Sequence, residues 1–270
     1  MAGSGNCNMN VILEMNKYLT HGLKQFFGYL VILFVVVSFT NIAFGQSDID
    51  ENQLKNHQIW IDFYPHYFVN DKLEYYGDAG YRTIVSNRSW SRIYVRPSLR
   101  YHLNKTWELH GGLGIFYIFN KDNVDQFEIT PWQGFQINWP TLTRINFKHL
   151  FKLEERFSFE TKDWASDFEL RFRYKLFGNL SFVRNEKWFI PFYGEYFLPL
   201  TGKVQELYQN KGRAGIGLGY KPDKEWKISF VFNWQSSRTG PNEGLHVSDY
   251  IYQLKVRKVW KQLIHVKNKM

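Results

Sequence analysis

The chain has 270 residues, is 44% hydrophobic and 19% aromatic, and carries a net charge of +9 with one cysteine, Cys7. That length suffices for one or two domains with a real core, and the apolar content argues against disorder. A polytopic helical membrane protein is excluded, because only one apolar run approaches the ~18 residues a spanning helix needs. One cysteine can build neither a disulfide scaffold nor a structural zinc site.

That apolar run, 26–39 (FFGYLVILFVVVSF), follows Lys17, His21 and Lys24 and leads into Ala43, Phe44 and Gly45. A basic flank, a short apolar core and a small-residue end form the secretory signal pattern, so 1–45 reads as a signal peptide cleaved after Gly45. The stretch before Lys17 is long for a signal, which leaves Met9 and Met15 open as starts. A single anchoring helix is the alternative. Cleavage removes Cys7, and with it both thiol catalysis and disulfides.

From residue 46 onward the dominant signal is period-two alternation, the signature of strands with one polar and one apolar face. Segments of this kind fall at 57–69, 73–85, 91–101, 107–118, 126–139, 144–157, 167–177, 188–198, 208–220, 226–235 and 248–260. In 167–177, Phe168, Leu170, Phe172, Tyr174 and Leu176 oppose Glu169, Arg171, Arg173 and Lys175. A helix would scatter those charges; a strand collects them on one side. No amphipathic helix is evident. The connections 70–72, 104–105 and 221–224 are short, whereas 120–125, 158–166, 201–210 and 236–247 are longer and polar. This is the arrangement of an up-and-down barrel with turns at one rim and loops at the other. Single-chain bacterial barrels have even strand numbers. The expectation is therefore one all-β domain over 46–260, an antiparallel transmembrane barrel of 10–12 strands with twelve preferred. A further strand would lie in 177–186 or just after the signal, and a basic tail follows at 261–270.

Trp107, Trp139, Trp188, Trp226, Trp234 and Trp260 all fall on the apolar parity near strand ends, where a bilayer boundary suits indole at both rims. A sheet of this size would also leave a lumen too wide for an oily core. These features favour apolar side chains facing lipid and a polar interior, located in the bacterial outer membrane. The alternative is a secreted soluble barrel or sandwich, the barrel binding an apolar ligand. His149 and Glu155 fall on the lipid-facing parity, so Glu155 is expected near a rim.

The polar parity carries Arg82, Arg92, Arg96, Arg100, Arg144, Lys148, Lys152, Arg156, Arg171, Arg173, Lys175, Arg213, Lys227, Lys255 and Arg257. Against these fifteen cations stand nine acids: Asp62, Glu74, Asp78, Glu108, Glu128, Glu154, Glu169, Glu195 and Asp249. Buried charges persist only when paired or hydrated, so a salt-bridge lattice is expected. The surplus would attract small anions, as rings of Arg and Lys do in anion pores. The candidate binding residues are Arg92, Arg96, Arg100, Arg144, Lys148, Lys152, Arg156, Arg171, Arg173 and Lys175, with Glu128, Glu154, Glu169 and Glu195 as lumen carboxylates. Nucleic acid is not an expected partner, since the positive charge is distributed inside a barrel rather than over an outer patch.

HExxH, GxSxG and Walker motifs are absent, so no metal or cofactor site is expected and an enzyme is not the leading reading. The stretch 212–219 (GRAGIGLG) contains a Gly-x-Gly-x-Gly that alternates as a strand with its glycines on one face, where small residues make room in the lumen or permit bending. One catalytic alternative is a lipid hydrolase using His246 and Ser248, with Asp249 or Glu243 as the local carboxylate. A His-x-Ser of this kind resembles the catalytic strand of outer-membrane lipid A deacylases.

Several short motifs then bear a resemblance. They are Gln58-Ile59-Trp60, Arg96-Pro97-Ser98-Leu99-Arg100-Tyr101, the run 148–157 (KHLFKLEERF), Arg171-Phe172-Arg173-Tyr174 and Glu195 within 194–197 (GEYF). Their order is similar to that of an exported β-protein family of Gram-negative bacteria known as domain of unknown function 2490, over about 56–260. The resemblance implies an outer-membrane barrel, surrounded by outer-membrane lipid and inserted by the barrel-assembly machinery, with no functional residues to transfer. Such barrels usually finish on an aromatic that this machinery reads; here Trp260 is followed by the tail 261–270.

Overall fold

The computed structural model describes residues 56–85, 89–141, 144–181, 187–201, 210–237 and 246–260. The expected signal peptide 1–45 and the tail 261–270 lie outside them. The alternating segments form β1 (Asn56–Phe68), β2 (Leu73–Ile84), β3 (Trp90–His102), β4 (Trp107–Asn120), β5 (Gln126–Asn138) and β6 (Ile145–Glu160). They continue as β7 (Ser166–Ser181), β8 (Trp188–Pro199), β9 (Asn210–Tyr220), β10 (Trp226–Ser237) and β11 (His246–Trp260). No helix occurs among the described residues.

Each strand pairs antiparallel with its sequence neighbour, and the sheet closes on itself through β1 and β11. The count among the described residues is eleven, not the preferred twelve. The stretch beginning at Phe177 is not a separate strand: Phe177–Ser181 simply prolongs β7, pairing with β6 and β8. In a meander, successive strands reverse direction, so the first and last of an odd series run the same way. The seam is accordingly parallel, in register from Asn56↔Asp249 to Tyr67↔Trp260.

The connections 69–72, 103–106, 139–144, 182–187 and 221–225 belong to one rim, here the turn rim. Those at 85–89, 121–125, 161–165, 200–209 and 238–245 belong to the other, the loop rim. Three turns share one device. The side-chain Oδ1 of Asn70, Asn104 and Asp223 accepts from the backbone N–H groups two and three residues on, pinning the first residues of β2, β4 and β10.

The faces are inverted relative to a soluble barrel. Phe168 is 43% exposed and Ile61 50%, while Glu169, Asp62, Glu154 and Arg156 are buried. All six rim tryptophans point outward. Five of them, Trp107, Trp139, Trp188, Trp226 and Trp260, crowd the turn rim, and Trp234 alone of the six lies toward the loop rim. The indole belt is thus two-sided but weighted to the turn rim, with Trp164, 65% exposed in the connection 161–165, joining Trp234 at the loop rim. His149 and Glu155 also face outward without a slip of register. His149 Nδ1 lies 2.7 Å from the Tyr174 hydroxyl, and Glu155, in the loop-rim half of β6, accepts from Gln133 at 3.3 Å.

Candidate functional site: the barrel lumen

Inside the barrel, at least eight of the nine acids meet cations. Glu154 gathers Lys152, Arg171 and Arg173 at 3.2, 2.7 and 3.0 Å. Glu195 takes Arg173 at 2.6 Å, Arg213 at 3.4 Å and Lys175 at 3.7 Å. Arg156, 1% exposed, is clamped by Glu128 and Glu169. Asp78 holds Arg96, and Asp62 faces Arg82 at 3.8 Å while accepting from Tyr94 and Gln253. Nearer the turn rim, Arg100 bridges Glu74 and Glu108, around which His66, His102 and His110 are arrayed. The ninth acid, Asp249, accepts from Gln58 and Gln235 across the neighbouring strands.

Of the candidate binding residues, Arg96, Arg100, Lys152, Arg156, Arg171, Arg173 and Lys175 all lie within this lattice. Arg92 faces the lumen against Trp90 and Phe116. Lys148 projects inward from β6 with no carboxylate within 4 Å among the described residues. Arg144 sits at the turn rim, exposed in the turn just before β6, because the strand begins one residue later than the alternation suggested. His246 and Ser248 belong to β11 by their backbone, but their side chains, like Glu243, lie outside the described residues. Asp249 is engaged by glutamines.

What the alternation obscured is a set of large rings on the charged face. Trp60, Trp90, Tyr94, Phe116, Trp132, Phe189, Tyr193 and Phe197 are all buried on the lumen side. The signal was present: Trp60 shares parity with Gln58 and Asp62, and Tyr193 and Phe197 share it with Glu195. Four of these rings stand directly opposite a glycine on the next strand, in the pairs Tyr94↔Gly80, Trp132↔Gly112, Phe189↔Gly219 and Tyr193↔Gly215. A Cβ at Gly112 would lie 2.8 Å from the Trp132 ring, and one at Gly219 would collide with Phe189. The bare glycine backbone lets each ring lie against the wall. Within 212–219, Gly215 and Gly219 therefore make room, one of the two expected roles.

Cations cap these rings. The Trp60 ring lies between Arg82 at 3.9 Å and Arg213 at 4.6 Å, and Lys152 Nζ stands 3.5 Å above Trp132. Such pairs gain when desolvated. They bound a cavity of about 460 Å³, a size typical of small-molecule sites. Its lining includes Trp60, Arg82, Trp132, Arg171, Phe197 and Arg213, and runs from the loop rim to the middle of the barrel. The acids and histidines around Arg100 take no part in it. It is a cup with cationic and aromatic walls. Among the described residues no group of three or more His, Cys, Asp or Glu is placed to hold a metal ion.

A family model described as a protein of unknown function, DUF2490, matches residues 57–245. The match takes in ten of the eleven strands and stops before β11, short of the span that the motifs suggested. No curated protein matches the chain. With most of its length covered by that model, the chain belongs to the DUF2490 family.

Proposed function

We propose that this is a non-enzymatic barrel of the bacterial outer membrane, exported by its cleaved signal peptide, whose lumen binds small anions from the loop rim. The observation that carries the reading is a cation-rich cavity enclosed by a wall whose outer face is apolar. An outward stripe of isoleucine, leucine and phenylalanine is costly in water and favourable against lipid. Indoles at the turn rim suit the headgroup boundary. Outer-membrane lipid is then the partner of the outer face, and the barrel-assembly machinery reads the aromatic end of β11 at Trp260.

The cavity's confinement to the loop-rim half favours a binding cup over a passage. Membrane fractions run unheated and heated on a gel test the location: a heat-shifted band in the outer membrane supports it, and recovery as a soluble protein overturns it. Titration of the detergent-folded barrel with benzoate and with neutral benzamide tests the cup. Benzoate is expected to bind more tightly; equal binding defeats the anionic reading. Cation-selective currents across a planar bilayer would defeat it as well.

A further inference from the structure

The surplus of positive charge is not spread through the lattice. Among the inward cations other than Arg92 and Arg144, those that meet no carboxylate within 4 Å among the described residues are Lys148, Lys227, Lys255 and Arg257. Three of them share the inner face of β10 and β11. Lys227 stands directly opposite Arg257, and Lys255 opposite Ser229, in the antiparallel register. Like charges placed directly across a strand pair destabilise it.

The surroundings offer little relief. Among the described residues the side chain of Lys227 donates to Asn179 Oδ1, a neutral acceptor, at 3.1 Å. Its Nζ lies 4.1 Å from the centre of the Phe189 ring, where Lys221 also reaches to 5.6 Å. Lys255 lies 5.0 Å from the centre of Tyr193, and Lys175 reaches the same ring at 4.2 Å. Asp62, paired across the seam with Lys255, is occupied by Tyr94, Gln253 and Arg82. Glu195 is shared among three cations. So ammonium groups carried by β7, β10 and β11 gather beside two aromatic walls, and among the described residues the one carboxylate within 4 Å of them, Glu195 beside Lys175, is shared with Arg173 and Arg213. None of Lys148, Lys175, Lys227, Lys255 and Arg257 lines the cup at the loop rim.

We infer that Lys175, Lys227, Lys255 and Arg257, with Asn179 beside them, form a second site in the turn-rim half of the lumen that takes a compact multivalent oxyanion, a phosphate group. A lysine ammonium is a point charge with three donors, which suits a tetrahedral dianion better than it suits a flat carboxylate. Apolar ring faces lower the local dielectric and strengthen the attraction. One multivalent ion relieves several repulsions at once, whereas a monovalent ion leaves most of them standing. Rings of Lys and Arg serve phosphate in the same way in selective pores.

The site stands on its own geometry, so a cup that fails to bind benzoate leaves it intact. The test is the thermal unfolding midpoint of the detergent-folded barrel, read by the heat-shifted gel band, in inorganic phosphate and in chloride at matched ionic strength. Phosphate is expected to raise the wild-type midpoint. The double variant Lys227→Gln, Lys255→Gln is expected to start from a higher midpoint, freed of repulsion, and to need about tenfold more phosphate for the same rise. Arg257→Gln serves the same comparison should the double variant fail to fold. Equal shifts in phosphate and chloride, or an unaltered phosphate response in the variants, overturn the site. A parallel titration with glycerol phosphate separates the sources. Tighter binding of inorganic phosphate assigns the free ion, and binding of the ester at least as tight assigns the terminal phosphate of a larger molecule.

Discussion

Two parts of the same lumen treat positive charge in opposite ways. Along β5, β6 and β7, Lys152, Arg156, Arg171 and Arg173 are interleaved with Glu128, Glu154 and Glu169, so that each of these four cations has an acid at hand. Along β10 and β11 the inner face presents Lys227, Lys255 and Arg257, and its one acid in the described residues, Asp249, sits at the far end. The contrast teaches that the net charge of a barrel interior is a poor guide to its chemistry. What matters is where neutralisation stops. In the first region, charge fills space and fixes register; in the second, it is left available.

The comparison breaks most readily at Glu154. Glu154→Gln removes the carboxylate that Lys152, Arg171 and Arg173 share in a buried setting, and removing one partner of such a cluster costs about 3–5 kcal/mol. A large fall in the heat-shift midpoint is expected, and a wild-type midpoint would show that these charges are hydrated rather than paired. Next is the wall shared by both regions. Gly219→Val drives a side chain into Phe189, an overpacking worth about 1–3 kcal/mol. Adding Phe189→Ala is expected to return part of that loss; strict additivity would mean that the two do not touch. Lys227→Gln then has the opposite sign from Glu154→Gln, raising stability in phosphate-free buffer by up to ~1 kcal/mol. A fall instead would show that the lysine is already balanced.

The smallest effect is at the turn before β10. Asp223 accepts from the N–H groups of Trp226 and Glu225, and these bonds hold its carboxyl below the usual aspartate range. Because the folded form favours the carboxylate, its contribution is full above the unfolded value near ~3.9 and fades as pH falls through the lower folded value. Asp223→Asn keeps the acceptor, as Asn70 and Asn104 do at their own turns, and is expected to flatten the stability profile below about pH 4. A profile identical to wild type would remove Asp223 from the acid dependence.

Much of this architecture is legible in the sequence because period-two alternation is local. Each of the eleven segments became a strand, and the greasy and charged parities of 167–177 took the outer and inner faces expected of them. The seam is not local. Nothing near Asn56 or Trp260 encodes that β1 meets β11 in parallel, so the even-number rule pulled the expectation to twelve. The inner rings were hidden for a related reason: alternation sorts residues by average polarity, and an isolated Trp60 among polar neighbours reads as noise until Arg82 and Arg213 are seen on its faces. Which cations stay unpaired depends on cross-strand register. The cluster at 92–100 and 148–156 looked like the surplus, yet its cations lie mostly beside acids of β2, β4, β5 and β7, while the excess sits on β10 and β11.

The parallel seam has a consequence for how the two ends of the barrel meet their surroundings. Asn56 opens β1 at the loop rim, whereas Trp260 closes β11 at the turn rim. In the membrane proposed here, the polypeptide would enter the wall from one compartment and leave it into the other. An even-stranded meander returns both ends to the same side. Epitopes placed just ahead of Asn56 and just beyond Trp260 would then answer to probes on opposite sides of intact cells, giving the molecule a polarity that can be read without opening it.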